Sequence, residues 1–346
     1  MGQGDKIWRH KRLSAERWRR RLLRKDRRHD WRRTTTGWHQ SEDFPVVAPK
    51  IVALGDKPRH AELTDFLRTL RKAFQHGKRI VSIDFSDVEM FYPEGMLLFY
   101  SELSRLLAAF PKVPVRCVPA KLERSGEVLE HLGVYKMLGY NSTVTPTRED
   151  VVNWHKCSGT TTTMDEAGEL IELSEQLDKM SAKKLFGGVS EAVANVVEHA
   201  YIANRGDGTL ASTSKSWWMF CREMENRLLV CVCELGVGIP GSLPLKYTRE
   251  FIESFVSKIS NGRRPHDGRL IQSAMAIARS RTNKDHRGKG FQDMRAVVDA
   301  SPGGQLHVFS NRGMFQYKDG KEKARACRDS ILGTVVTWSL PLTESE

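Results

Sequence analysis

Two apolar runs separated by two residues constrain this chain most. Ser216–Met224 and Arg227–Glu234 both read as strands, and Glu225-Asn226 between them is the length of a tight hairpin turn. A second set follows: Ser301-Pro-Gly-Gly304 predicts a turn, with strands at Leu306–Ser310 and Met314–Tyr317 and a closing strand over Val335–Leu340. The charged stretch Lys318–Asp329 reads as a loop. Ahead of the hairpin, helices are expected over Glu169–Met180 and Ala182–Ala203. Further helical character is expected at Ile252–Ile259 and Arg269–Ala278. Helices first, then antiparallel strands with intervening helices, predict an α+β layer sandwich over residues 160–343.

Residues 45–150 read differently. Leu63, Phe66, Leu67, Leu70 and Phe74 have helical spacing, and Gly77 follows as a stop. Strands are expected at Arg79–Phe85 and Val113–Val118, a helix at Gly95–Phe110, and a helical segment through Val128, Leu129, Leu132 and Leu138 interrupted by Gly133. Alternating strands and helices predict a small α/β domain. Residues 151–164, ending in Ser158-Gly-Thr-Thr-Thr-Thr163, read as a polar connector.

Charge separates a third region. Residues 1–40 hold 14 Lys/Arg against 4 Asp/Glu, so they supply +10 of the net +13 and leave the remainder nearly neutral. Trp8, Trp18, Trp31 and Trp38 are interleaved with the arginines. That composition suits phosphate neutralisation and base stacking, so nucleic acid is one expected partner. An anionic membrane surface, an acidic partner or a solubilising extension share it. No apolar run approaches the length of a membrane span. The six cysteines form no CxxC pair, and Cys231-Val-Cys233 falls in a predicted strand where packing explains it; a reducing cytoplasm is the expected compartment.

Three local patterns carry chemistry. On a helix, Glu191, Asn195 and His199 stand at i, i+4 and i+8 on one stripe, with Val193, Val196 and Val197 opposite. A carboxylate and an amide one turn apart suit a divalent cation and an activated water. Glu234-Leu-Gly236-Val-Gly238 ends an apolar strand; its glycines admit close backbone approach, and its acid can accept from an exocyclic amine. Arg287-Gly288-Lys289-Gly290 opens a helix, where backbone N–H groups and the dipole bind phosphate.

In this order, with Gly333-Thr334 opening the last strand, the patterns resemble the Bergerat-fold (GHKL) ATP-binding domains. The likeness is greatest to anti-sigma-factor serine kinases, through Glu191-Ala-Val-x-Asn195-x-x-x-His199-x-Tyr201 and Gly288-x-Gly290-Phe291-x-x-Met294. The resemblance implies ATP and Mg²⁺ as cofactors. It makes Asn195 the metal ligand and Glu191 the general base. It also makes Glu234 the adenine-amine acceptor, where the superfamily has Asp. Gly236 and Gly238 would line the adenine and ribose, Arg287, Gly288, Lys289 and Gly290 would close on the triphosphate, and Thr334 would lie near the adenine. Ile83-Asp-Phe-Ser-Asp-Val-Glu-Met-Phe-Tyr-Pro-Glu-Gly95-Met-Leu-Leu resembles a STAS-like domain, the fold of anti-sigma-factor antagonists. Pro93 and Glu94 stand where phosphorylatable members carry serine, so that modification is not expected; Glu94 reads as a surface turn residue or a fixed negative charge.

The implied whole is a basic arm (1–40), a STAS-like α/β domain (45–150) and a GHKL-type two-layer α/β sandwich (160–343). No phosphoacceptor helix precedes residue 191, and His131 and His155 lie in the wrong local sequence for one. The expected function is a cytoplasmic signalling regulator that uses Mg–ATP to phosphorylate Ser/Thr on a protein partner. The alternatives are an ATP-gated clamp, dimerising and holding nucleic acid through its arm, and a non-enzymatic ATP-binding scaffold.

Overall fold

The computed structural model describes residues 43–77, 79–172, 177–209, 215–248, 250–254, 266–280 and 290–342. The basic arm therefore lies outside the described residues. The chain is mixed α/β. Its larger sheet has seven strands, and every pairing in it is antiparallel. A separate sheet of three parallel strands lies nearer the N-terminus.

The three parallel strands are β1 (Asp43–Val47), β3 (Ile80–Asp84) and β5 (Val115–Val118), with β3 in the middle. Helix α1 (Lys57–His76) begins at Asp56, whose carboxylate accepts from Arg59 N at 2.9 Å, and ends at Gly77 with φ +60°. Its stripe from Leu63 to Phe74 is buried as the spacing predicts. Helix α2 (Pro93–Ala109) follows a short parallel pair, β2 (Ile51–Val52) with β4 (Met90–Phe91). Gly95 lets α2 lie directly on β2, because a Cβ there would stand 2.6 Å from Val52 O. Helix α3 (Glu123–His131) is closed off by Gly133, at φ +74°.

The large sheet runs in the order β11-β10-β9-β12-β8-β7-β6. Strands β7 (Trp217–Met224) and β8 (Arg227–Glu234) form the expected hairpin, with Glu225 and Asn226 both left-handed at φ +53° and +56°, as a type I′ turn requires. Three expectations are corrected. The supposed connector contains β6 (Trp154–Gly159), which pairs with β7 at the sheet edge; its polar His155, Lys156 and Ser158 mask a strand anchored by buried Trp154 and Cys157. The supposed loop contains β11 (Lys321–Ala326), joined to β10 (Gly313–Lys318) through Asp319 and Gly320, both at positive φ. Lysine-rich sequence is what an exposed edge strand tolerates. The expected closing strand is present as β12 (Thr334–Pro341), and it is interior, inserted between β8 and β9 (Gln305–Ser310).

The third correction concerns helix bounds. In place of Glu169–Met180 and Ala182–Ala203, α4 spans Asp165–Glu172 and α5 spans Lys179–Asn195, because Asp178 caps α5 with its carboxylate, accepting from Met180 N and Ser181 N at 3.0 Å each. An unpredicted helix, α6 (Gly238–Lys246), follows β8. α7 (Asp267–Ser280) and α8 (Gly290–Asp299) complete the set used below.

The large sheet is covered on both faces. Trp217, Met219, Val230, Val232, Val336 and Trp338 share a core with α5 and α8, and Trp338 Nε1 donates to Met294 O at 2.9 Å. The alternate residues Trp218, Phe220, Cys231, Cys233, Phe309 and Val335 share a continuous core with α1 and α2. Helix α2 packs against the large sheet and against α1, so its run Met96-Leu97-Leu98-Phe99 is buried all round. Cys231 and Cys233 are thus packing residues. Glu94 is not a surface turn residue. It lies in the first turn of α2, with its carboxylate 3.4 Å from Leu54 N and electrostatically coupled to Cys231 of β8. Among the described residues no helix is long and apolar enough to cross a membrane.

Burial also sets an acid sensitivity. His60 on α1 is 4% exposed, and burial lowers its pKa from 6.5 to about 4 against the opposing pull of Asp329. Below 6.5 the unfolded chain takes up a proton that the native imidazole refuses until about 4, so stability falls as pH falls through that window. We expect about 2 kcal/mol of stability to be lost through this group between about pH 7 and about pH 5. Denaturant melts of the wild type and His60→Gln at both pH values check it: the variant should lose correspondingly less.

Candidate functional site

The predicted site residues gather around the C-terminal end of α5. Glu191 and Asn195 occupy its last turn, and Asn195 Nδ2 donates to Glu191 O at 2.8 Å. Beyond Asn195 the helix widens into a π-turn over Val196–Ala200. Such turns are rare, and they concentrate at functional sites because they redirect side chains and free carbonyls. His199 lies inside this turn, with Glu198 at 3.5 Å.

The π-turn exposes the Ala200 carbonyl, and the glycine loop after β8 closes on it. Val237 N donates to Ala200 O at 2.8 Å. A Cβ on Gly236 would stand 2.1 Å from the same oxygen, so only glycine fits. Gly238, at φ +69°, is similarly crowded, with Ser310 Oγ at 2.8 Å and the Asn311 amide at 2.9 Å from a built Cβ. The two glycines thus admit close approach by the chain's own helix end and β9–β10 turn, where the sequence suggested approach to a ligand.

Tyr201 pins the same junction. Its hydroxyl donates to Ser216 O at 2.5 Å and accepts from Leu235 N at 3.2 Å. Glu234, 5% exposed, faces Thr334 across the β8–β12 register. Its carboxylate turns back to accept from Gly236 N. Burial raises its pKa, while Thr334, the Gly236 amide and Arg205 partly offset the rise. Thr334 Oγ1 lies 2.9 Å from Ser310 Oγ, which also accepts from Ile239 N at 2.9 Å. Asn311 Nδ2 donates to Val237 O at 2.8 Å.

The residues expected on the phosphate side are only partly described. Arg287, Gly288 and Lys289 lie outside the described residues. Gly290 opens α8, which crosses α5 closely: a Cβ on Gly188 would be 2.8 Å from Val297 Cγ2 and 3.4 Å from Met294 Cα. That crossing brings Asp293 near Glu191. Burial first, then the charges of Asp293 and Glu198, raise the Glu191 pKa.

Comparison with protein-family models, curated proteins and solved structures finds no match. The site is therefore read from its own geometry. It joins the end of a helix bearing a carboxylate and an amide, a glycine loop with a buried acid, and a threonine across the sheet from that acid. Among the described residues no group of three or more His, Cys, Asp or Glu could hold a metal ion by itself. From sequence, Tyr201 enters only as the last residue of the Glu191-Ala-Val-x-Asn195-x-x-x-His199-x-Tyr201 pattern. Ser310, Asn311 and Arg205 act through long-range folding that no local spacing announces.

Proposed function

We propose that this chain is a Mg–ATP-binding signalling regulator that transfers phosphate to a Ser/Thr of a protein partner. In this reading residues 160–343 form a Bergerat-type nucleotide domain, and the N-terminal α/β part is STAS-like. The observation that carries the proposal is the closure of the Gly236–Val237 loop on Ala200, five residues beyond Asn195. It brings the helix pattern of Glu191 and Asn195 and the glycine loop, far apart in sequence, into one junction. Thr334 beside Glu234 adds the third.

The donor set fits the cofactors. Mg²⁺ binds through few protein oxygens, retaining waters and taking the rest of its ligands from phosphates. With Nδ2 engaged by Glu191 O, Asn195 would ligate through Oδ1. The ion would supply charge neutralisation between the phosphates. Glu191, with its raised pKa, would accept the proton of the attacking hydroxyl. Glu234 and Thr334 would hold the purine amine, directly or through water.

Calorimetry of ATP with and without Mg²⁺ tests the reading. We expect Mg²⁺-dependent binding and at least about tenfold weaker binding for Asn195→Ala; undiminished binding by that variant would remove Asn195 from the site. With γ-labelled ATP and a partner protein, Glu191→Gln should bind nucleotide normally yet transfer label about a hundredfold or more slowly. Label appearing only as free phosphate with every partner offered would count against kinase activity.

A further inference from the structure

A buried ionic cluster ties the N-terminal layer to this junction. Arg205 follows Tyr201 by four residues, in the turn Arg205-Gly-Asp-Gly208 that leaves the π-turn, and its side chain is 6% exposed. Its guanidinium donates to both carboxylate oxygens of Glu102 on α2, through Nη1 at 3.2 Å and through Nη2. Glu102 is fully buried and also receives Arg71 of α1 at 3.1 Å and Arg105 of α2 at 2.7 Å. Burial alone would push the Glu102 carboxyl up, but Arg205, Arg71 and Arg105 together hold it well below the usual carboxylate range.

The cluster reaches the strands as well. Arg205 and Arg71 both donate to the carbonyl of Ile331, at 3.4 Å and 3.5 Å, three residues before Thr334. Asp207 accepts from Arg105 at 2.6 Å, and Gln75 of α1 donates to Asp207 O at 2.7 Å and to Thr209 Oγ1 at 3.2 Å. The exit of the π-turn and the entry to β12 are thus held by side chains from α1 and α2. Tyr201, at one end of this tether, holds Leu235 N at the start of the glycine loop.

We propose that Arg205 is a positioning residue for the nucleotide site, and that the N-terminal layer sets nucleotide affinity by holding it through Glu102. The inference rests on the nucleotide-binding reading above. Its physical basis is that a bidentate guanidinium–carboxylate pair in a dry interior fixes both distance and orientation. Breaking one partner leaves a buried charge whose relief requires the segment to move. Two segments must then move: residues 200–209, with Ala200 and Tyr201 beside the glycine loop, and the turn at Ile331, three residues before Thr334. Linkage is reciprocal, so nucleotide binding that tightens the loop tightens the α2 contact equally.

The test uses the full chain, in wild type, Glu102→Gln and Gln75→Ala. Gln75 is exposed and outside the buried cluster, so its variant keeps the fold if Glu102→Gln does not. Amide hydrogen exchange without nucleotide is read at residues 200–209 and 235–237 and compared with β9 and β10. We expect about tenfold or greater loss of protection at the first two segments in Glu102→Gln, a smaller loss in Gln75→Ala, and little change in β9 and β10. Mg–ATP affinity should weaken at least about tenfold and about threefold, respectively. Equal protection at 235–237 in both variants and wild type overturns the positioning role, as does a loss spread evenly over the whole sheet. Wild type that binds no ATP, with the localised exchange change present, refutes the nucleotide reading while leaving the mechanical link standing.

Discussion

Gly236→Ala is expected to abolish the junction on which the site depends. The added methyl would meet Ala200 O at 2.1 Å, Ala200 C at 2.5 Å and Glu234 Oε2 at 2.9 Å. Two of these are backbone atoms that cannot rotate away. Either the loop leaves the helix end, breaking the Val237 N to Ala200 O bond, or the π-turn rewinds. Overpacking against backbone costs about 3 kcal/mol or more, and the loop would no longer face Thr334. Mg–ATP binding should fall by about a hundredfold or more, with lower thermal stability. Gly187→Ala on α5 is the matched control, since a Cβ there meets nothing within 4 Å. It should stabilise by about 0.5–1 kcal/mol through helix propensity. A Gly236→Ala protein with wild-type melting and binding would contradict the described loop.

The second large effect is expected from cutting the chain. A fragment of residues 151–342 retains the seven-stranded sheet but loses α1 and α2, which share a core with Trp218, Phe220, Cys231, Cys233, Phe309 and Val335. That face would present a contiguous apolar patch well beyond the few hundred Å² that monomers expose. It would also strip Arg205 of Glu102, its carboxylate partner on α2. The fragment is expected to aggregate, measured by light scattering, while the intact chain melts in one calorimetric transition. A monomeric fragment with its own cooperative melt, or two separated transitions in the whole chain, would show that the shared core contributes little.

What the sequence made legible, and what it did not, follows from the range of the forces involved. The α1 stripe and the β7–β8 hairpin are local: helical spacing for the first, two residues at positive φ for the second, and both formed as read. Edge strands β6 and β11 lack the usual apolar alternation: the two buried residues of β6, Trp154 and Cys157, are three apart, and the less exposed positions of β11 are Glu322 and Ala324. Asp178 reads as one more polar residue until its capping bonds are seen. For the site, Glu191, Asn195, Glu234 and the two glycines could be chosen from sequence. The reason for the glycines could not, since it lies in the carbonyl of Ala200 and the side chains of Ser310 and Asn311. Likewise, nothing near Glu94 or Glu102 indicates that α2 lies between two sheets. Its apolar run fits any buried helix.

The interior place of β12 has a consequence for how the chain is made. Strands β6, β7 and β8 form one meander and β9, β10 and β11 another, and the two are hydrogen-bonded only through β12. Until residues 334–341 leave the ribosome, β8 and β9 are both open edges with apolar side chains, a state prone to pairing with other chains. Synthesis must therefore run past the last described strand before the sheet closes, and the same strand brings Thr334 to Glu234. The Glu234–Thr334 pair and the closed sheet therefore form in a single late step, so a nascent chain cannot bring these two residues together before it acquires the fold.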